Sequence, residues 1–177
     1  MVRKKTVKEK SQKQEQRTAK QLGGRTQIAS GAIWAMKADV RTDEFLIENK
    51  YTDTNFYTLN VATWEKIFKE ATNDNLRIPL MQIDIKDKYC IVCEESYLNM
   101  LIEDYDYTKV STESASKSFR IKYELAELVN KKLKVGNILN TIPIVGLTFK
   151  KPKKDIKLCI IGLEHFLDLV NEYQLVY

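Results

Sequence analysis

A chain of 177 residues, 44% hydrophobic and 30% charged, can build one ordinary domain, or a domain with a substantial extension. No apolar run approaches the roughly 20 residues of a membrane-spanning helix, and the opening "MVRKKTVKEK" has no apolar stretch for a signal peptide, so a cytoplasmic protein is expected, in the host cytoplasm if it is viral. The net charge of +5 is uneven: residues 1–25 carry nine Lys or Arg against Glu9 and Glu15, which leaves −2 for the rest. A basic arm on a nearly neutral body suits a polyanion such as DNA or RNA, although a solvated terminus has the same composition.

In chain order, the polar, Gly- and Pro-free stretch from about Lys8 to Leu22 predicts a helix, stopped by Gly23-Gly24. Ser30-Gly31 reads as a turn or loop, Ala38–Val40 as the start of a strand, and Arg41–Glu44 as a hairpin turn into a strand over Phe45–Tyr51. Val61, Trp64, Ile67, Phe68 and Ala71 recur at helical spacing. "PLMQIDI" and "KYCIVCE" predict two strands separated by Lys86–Lys88, and Tyr97, Leu98 and Leu101 a helix to about Ile102. Glu103–Ser118 is poor in aliphatic residues and is predicted to be a loop or linker.

The remainder repeats a pattern. "FRIKYELAELVNKKL" from Phe119 lines up with "YTLNVATWEKIFKEA" from Tyr57, "IPIVGLTF" from Ile142 with "IPLMQIDI" from Ile78, and "KLCIIGLEHFLDLV" from Lys157 with "KYCIVCEESYLNML" from Lys88. The expectation is a half-unit duplicated in tandem, a strand end followed by αββα. The second copy offers no counterpart of Asp39, Glu48 or Lys50. The chain is accordingly divided into a core at 1–110 and a repeat-like extension at 111–177. Cys90 and Cys93 lie in a strand-like run with no second pair to complete a zinc site, so core cysteines are expected. His165 has no partner nearby in the sequence.

The chemistry concentrates in "EFLIENKYTD", Glu44–Asp53. On a strand, Glu48 and Lys50 project from one face and Asn49 from the other. Asp39, at the end of the preceding hairpin strand, can lie beside Glu48. Two carboxylates brought together repel unless a cation sits between them. Oxygen ligands favour Mg²⁺, and the backbone carbonyl of Asn49 could add another. Lys50 would then hold a metal-polarised water or balance charge on a phosphate, which together make a hydrolytic phosphodiesterase site. The plain alternative is a Glu48–Lys50 surface ion pair with Asp39 an ordinary turn residue.

The order Glu15 in a first helix, then Ser30-Gly31, Asp39 and "IENK" (Ile47–Lys50) resembles the PD-(D/E)XK nuclease superfamily. Within it, the chain is most similar to archaeal-type Holliday-junction resolvases and related phage-encoded nucleases. The likeness covers about the first half of the chain on a short motif, with Ala38 where the superfamily's name has Pro. It implies an α/β, restriction-endonuclease-like mixed β-sheet flanked by helices, here with a C-terminal αββα extension. It also implies Mg²⁺ or Mn²⁺ as cofactor and often a homodimer. Carried onto this sequence, Asp39 and Glu48 would be metal ligands with the Asn49 backbone carbonyl, Lys50 the catalytic lysine, and Glu15 an aid to a second metal or its water shell. Ser30 would contact DNA near the scissile phosphate, Arg17 and Arg25 the DNA backbone, and Thr52 would help position substrate. The expected activity is a metal-dependent DNA endonuclease, a Holliday-junction resolvase or another branched-DNA nuclease of DNA recombination. A different expectation, drawn from the motif-free second half, is a non-catalytic nucleic-acid-binding or assembly protein that keeps the fold. An RNA nuclease or restriction-type enzyme ranks lower, for want of an aromatic-rich RNA-binding motif or a sequence-reading domain. Tyr51, Phe56 and Tyr57 could stack on bases, or simply pack in the core.

Overall fold

The computed structural model describes residues 6–26, 38–103 and 105–176, with side chains throughout except at 139 and 174–176. Helix α1 (Val7–Gln21) starts at a capping box. Thr6 Oγ1 accepts from the Glu9 N–H at 3.3 Å, and the Thr6 N–H donates to Glu9 Oε2 at 2.7 Å. Gly23, at φ +66°, ends the helix. Strands β1 (Arg25–Thr26) and β2 (Val40–Arg41) form a short antiparallel pair, and β2 runs antiparallel into β3 (Phe45–Thr52). A Cβ on Gly24 would lie 2.8 Å from Arg41 O and Thr42 Cγ2, so glycine lets the chain pass close over β2.

The chain continues through β4 (Phe56–Asn60), α2 (Val61–Asn73), β5 (Ile78–Ile85), β6 (Lys88–Glu94) and α3 (Glu95–Leu101). It then forms β7 (Tyr107–Ala115), β8 (Ser118–Lys122), α4 (Tyr123–Val129), β9 (Leu133–Val135), β10 (Ile138–Phe149), β11 (Ile156–Gly162) and α5 (Leu163–Val176). Nine strands make one mixed sheet, ordered β1-β2-β3-β5-β6-β11-β10-β7, with β9 added to β10. The β3–β5 and β7–β10 ladders are parallel and the other ladders are antiparallel. Strands β4 and β8 form a separate antiparallel ribbon.

Helices cover both faces of the sheet, which is why its inner strands read as nearly continuous apolar runs. On one face Ala19 of α1, Tyr97 and Leu98 of α3 and Phe166 and Leu169 of α5 pack over Phe45, Ile47, Leu80, Ile91 and Cys159. Phe45, Tyr97 and Phe166 meet there with ring centroids 6.0–6.4 Å apart. On the other face Trp64 and Ile67 of α2 and Ala126 and Val129 of α4 pack over Met81, Ile83, Val92, Leu147 and Ile160. The helical spacing of Val61, Trp64, Ile67 and Ala71 is therefore the buried stripe of α2, while Phe68 lies exposed beside it. Cys90 and Cys93 face opposite cores, and both are buried free thiols, as is Cys159. Among the described residues no helix is long and apolar enough to cross a membrane.

Two expectations need correcting. Glu103–Ser118 is not a linker, because Tyr107–Ala115 is the edge strand β7. With one flank and most of one face open, β7 needs few aliphatic residues, and Thr108, Val110 and Thr112 supply strand propensity instead. The boundary expected between residues 110 and 111 falls inside that strand, and the sheet runs through both halves. Close packing marks the far side of the sheet as well. A Cβ on Gly162 would sit 2.5 Å from the Val129 carbonyl oxygen and 3.0 Å from Asn130 Oδ1. Gly162→Ala is expected to cost about 1–3 kcal/mol of stability, read as a lower urea midpoint with unchanged slope.

Candidate active site

The parallel ladder pairs Glu48 with Met81, Asn49 with Gln82 and Lys50 with Ile83. Pleating sends Asn49 toward α1, where its side-chain amide lies 3.3 Å from Thr18 Oγ1. Glu48 and Lys50 project from the opposite face, as their spacing requires. Lys50 Nζ donates to Glu48 Oε1 within that face.

The hairpin brings in Asp39. Its N–H donates to the Ile47 carbonyl at 3.1 Å, and its Oδ2 accepts from the Asn49 N–H at 2.7 Å. Two bonds thus lock the residue ahead of β2 against the strand that carries Glu48 and Lys50. Burial pushes the Asp39 carboxyl up to about 6, and the Glu48 charge adds to the rise against the opposing Asn49 N–H and Lys50. Ala38, just before it, sits at φ +73°, a left-handed conformation closed to proline.

Lys50 is an ammonium. Burial pulls its pKa down, but the hydrogen bond and charge of Glu48, with Asp39 and Tyr57, more than offset that, and the net shift is upward. Glu15 comes from α1 into the same field. Its carboxyl is raised first by burial and then by Glu48, against Ser11 and Lys50. Among the described residues no group of three or more His, Cys, Asp or Glu side chains is placed to hold a metal ion by itself. What the fold does provide is two crowded carboxylates, Asp39 and Glu48, next to the Asn49 backbone. A hard divalent ion relieves such crowding, and one or two carboxylates with water suit Mg²⁺. The donor set fits on that ground.

Crowding has a measurable consequence. A carboxyl whose folded pKa lies above its unfolded value stabilises the fold fully only below the unfolded pKa, and that stability is lost as pH rises through the folded one. For Asp39 the window runs from 3.8 to about 6. Asp39→Asn keeps an acceptor for the Asn49 N–H and removes the charge, so at pH 7.5 in EDTA it is expected to gain about 1–3 kcal/mol. Thermal melts of the two chains at pH 4 and 7.5 check this, and the gain should vanish at pH 4.

The other expected site residues are placed variously. Arg17 NH2 donates to Asp84 Oδ2 at 2.6 Å, and its guanidinium lies over the Tyr89 ring at 4.1 Å. Arg25 is exposed on β1, opposite Arg41. Thr52 shares Lys50's face, but its hydroxyl accepts from the Thr54 N–H at 3.1 Å in the turn after β3. Ser30 lies outside the described residues. His165, buried in α5, meets the Lys131 carbonyl through Nε2 at 3.1 Å.

Tyr57 packs against the core beneath α2 and α4, one of the two uses expected of it. Tyr57, half-buried on β4, stands in the fields of both Lys50 and Glu48, and burial raises its hydroxyl pKa ahead of their opposed effects. The tight turn after β3 brings β4 back beside the site. Seven positions past Lys50 in the sequence, Tyr57 carried no signal of that return. Comparison with protein-family models, with curated proteins and with solved structures gives no match.

Proposed function

We propose that the chain is a metal-dependent DNA endonuclease with a restriction-endonuclease-like fold, acting on branched DNA such as a four-way junction. The observation that carries the proposal is the joining of Asp39, Glu48 and Lys50 where β2 meets the middle of the parallel β3–β5 pair, with the carboxylates crowded and the lysine charged. Asp39 and Glu48, with the Asn49 backbone carbonyl, would hold Mg²⁺ or Mn²⁺, which when bound polarises a phosphate oxygen and acidifies water. Lys50, an ammonium, stabilises the negative charge that grows on the phosphate under attack. Glu15 orients water at the α1 side of the site. The Tyr57 hydroxyl is placed to donate to a phosphate oxygen, and Tyr57→Phe is expected to slow cleavage about 3–10-fold, the worth of one hydrogen bond, with the melting temperature unchanged.

Labelled four-way junctions, flaps and linear duplex, each incubated with Mg²⁺ or with EDTA, test the activity. Product that needs the metal and favours branched DNA is expected, and intact DNA in every lane ends the proposal. A second reading, a binding or assembly protein that keeps the fold without turnover, is favoured by the polar, motif-free strand β7. Tight junction binding with no metal-dependent product would select it.

The tandem duplication belongs to the same proposal. It is supported by where equivalent strands meet. The aligned segments at Tyr57 and Phe119 lie in β4 and β8, which pair with each other, and those at Cys90 and Cys159 lie in β6 and β11, which also pair.

A further inference from the structure

The two parallel ladders extend the duplication to the catalytic strand. Strand β3 pairs with β5 from Phe45↔Ile78 to Thr52↔Ile85, and β7 pairs with β10 from Tyr107↔Ile142 to Ala115↔Phe149. Both partner strands carry Ile-Pro at the start of these ladders. Laying Ile78 on Ile142 places Phe45 on Tyr107. A register shift between Ile144 and Val145 then admits one extra residue, Val110, into β7. Past it, Met81 falls on Val145, and so Glu48 falls on Ser111, Asn49 on Thr112 and Lys50 on Glu113. The counterpart that sequence comparison does not find is present by position and altered in chemistry.

The two antiparallel ladders give the relation between the halves. In β4–β8, Thr58 pairs with Arg120, its own equivalent, and Tyr57↔Ile121 mirrors Leu59↔Phe119. In β6–β11, Ile91↔Ile161 mirrors Val92↔Ile160, where Ile160 and Ile161 are the equivalents of Ile91 and Val92. Each ladder is symmetric about its own centre. That is the mark of a two-fold axis, the relation between partners in most homodimers.

The second half has lost the site around this axis. Ser111 and Glu113 replace the carboxylate and the ammonium, and Phe119 replaces Tyr57 and its hydroxyl. The five residues between α3 and β7 leave no room for counterparts of α1, with Glu15, or of the hairpin that carries Asp39.

Building on the proposed nuclease activity, we infer that the chain is a dimer fused into one polypeptide, with one working active site and one relic at the two-fold position, so that it makes a single incision at each encounter with a two-fold symmetric DNA substrate. Each turnover adds one water across one P–O bond. The new bond joins the water oxygen to phosphorus, the leaving sugar oxygen takes up a proton, and one strand ends in a phosphate and a hydroxyl. The opposite strand stays joined, because Ser111 and Glu113 supply neither a metal-ligating pair nor a cation. The second half occupies the place that another subunit would fill.

A closed circular DNA bearing an extruded inverted repeat reads the number of cuts directly. With Mg²⁺ and the full chain, monomeric by light scattering, nicked circle is expected as the sole first product. Linear DNA should follow only after a lag, at a rate that rises with protein concentration. Glu113→Ala should nick at the native rate. Linear DNA as a first product, a dimeric chain that makes paired cuts, or nicking lost in Glu113→Ala would each overturn the inference and leave the nuclease reading intact. Circles that stay closed on every substrate would instead overturn the nuclease reading and take the inference with it.

Discussion

Arg17→Ala is expected to lower the unfolding free energy by roughly 3 kcal/mol, a fall in melting temperature of about 6–12 °C, rather than merely weaken DNA binding. Arg17 is one-third exposed, but the Asp84 carboxylate it meets is 2% exposed. Asp84 also accepts from Gln82 Nε2 at 3.0 Å, and Gln82 Oε1 accepts from Thr18 Oγ1 at 2.7 Å. Gln14 completes the set by donating to the Lys50 carbonyl at 3.1 Å. These bonds fasten α1 to the sheet, and the guanidinium is their only full positive charge. Without it a buried carboxylate is left uncompensated, which costs more than the pair was worth. Burial already raises Asp84 against Gln82 and Arg17, and the variant should raise it further. Stability tied to a raised carboxyl is present below its unfolded pKa and lost as pH climbs through the folded one, so the deficit should grow from pH 5 to 7.5. Urea melts at both values measure it, and adding Asp84→Asn should recover most of the loss. Unchanged stability with weakened DNA affinity would return Arg17 to the substrate. Because α1 also carries Glu15, the network sets one side of the site as well as the fold.

Lys50→Ala is expected to reduce cleavage about 10²–10⁴-fold while the fold stays intact. The lysine is 31% exposed on its side chain and paired with a Glu48 that is 15% exposed, so its removal leaves the Asp39 and Glu48 carboxylates in place. Mg²⁺ should therefore still raise the melting temperature of Lys50→Ala. Asp39→Asn should lose both cleavage and that metal-induced rise. The two variants separate charge stabilisation at the phosphate from ion binding, and single-turnover rates beside thermal melts with and without Mg²⁺ resolve them. A Lys50→Ala chain that cleaves normally would reduce the Glu48–Lys50 pair to a surface ion pair.

Much of this arrangement can be read in the residues. Phe45-Leu46-Ile47 ahead of Glu48 and Lys50 marks a buried strand that turns polar partway along, because apolar burial and two-residue alternation are local properties. The same holds for α2, whose helical period matches its buried face, and for β5 and β6, whose unbroken apolar runs match burial on both faces. The polar network of Gln14, Thr18, Asn49, Gln82 and Asp84 is not legible in this way. Each of these residues resembles ordinary surface until two distant segments meet. Strand β7 escapes notice because an edge needs only β-branched and small polar residues, and the extra Val110 breaks its alignment with β3 by one position. Tyr57 is hidden by the turn that folds β4 back toward Lys50. What sequence periodicity reports is which residues are buried, and the site depends also on which chain segments return to it.

The β6–β11 ladder joins a strand from the middle of the chain to one about seventy residues later, and this governs how the protein has to be made. Until β11 leaves the ribosome, β6 presents an unpaired edge along Cys90-Ile91-Val92-Cys93, every one of which is buried in the finished sheet. A nascent chain that has folded as far as α3 is thus a sticky intermediate, open to strand exchange with its neighbours. Messages truncated before β11 should yield inclusion bodies rather than a smaller folded protein, and slow translation or a bound chaperone should raise the recovery of the full chain.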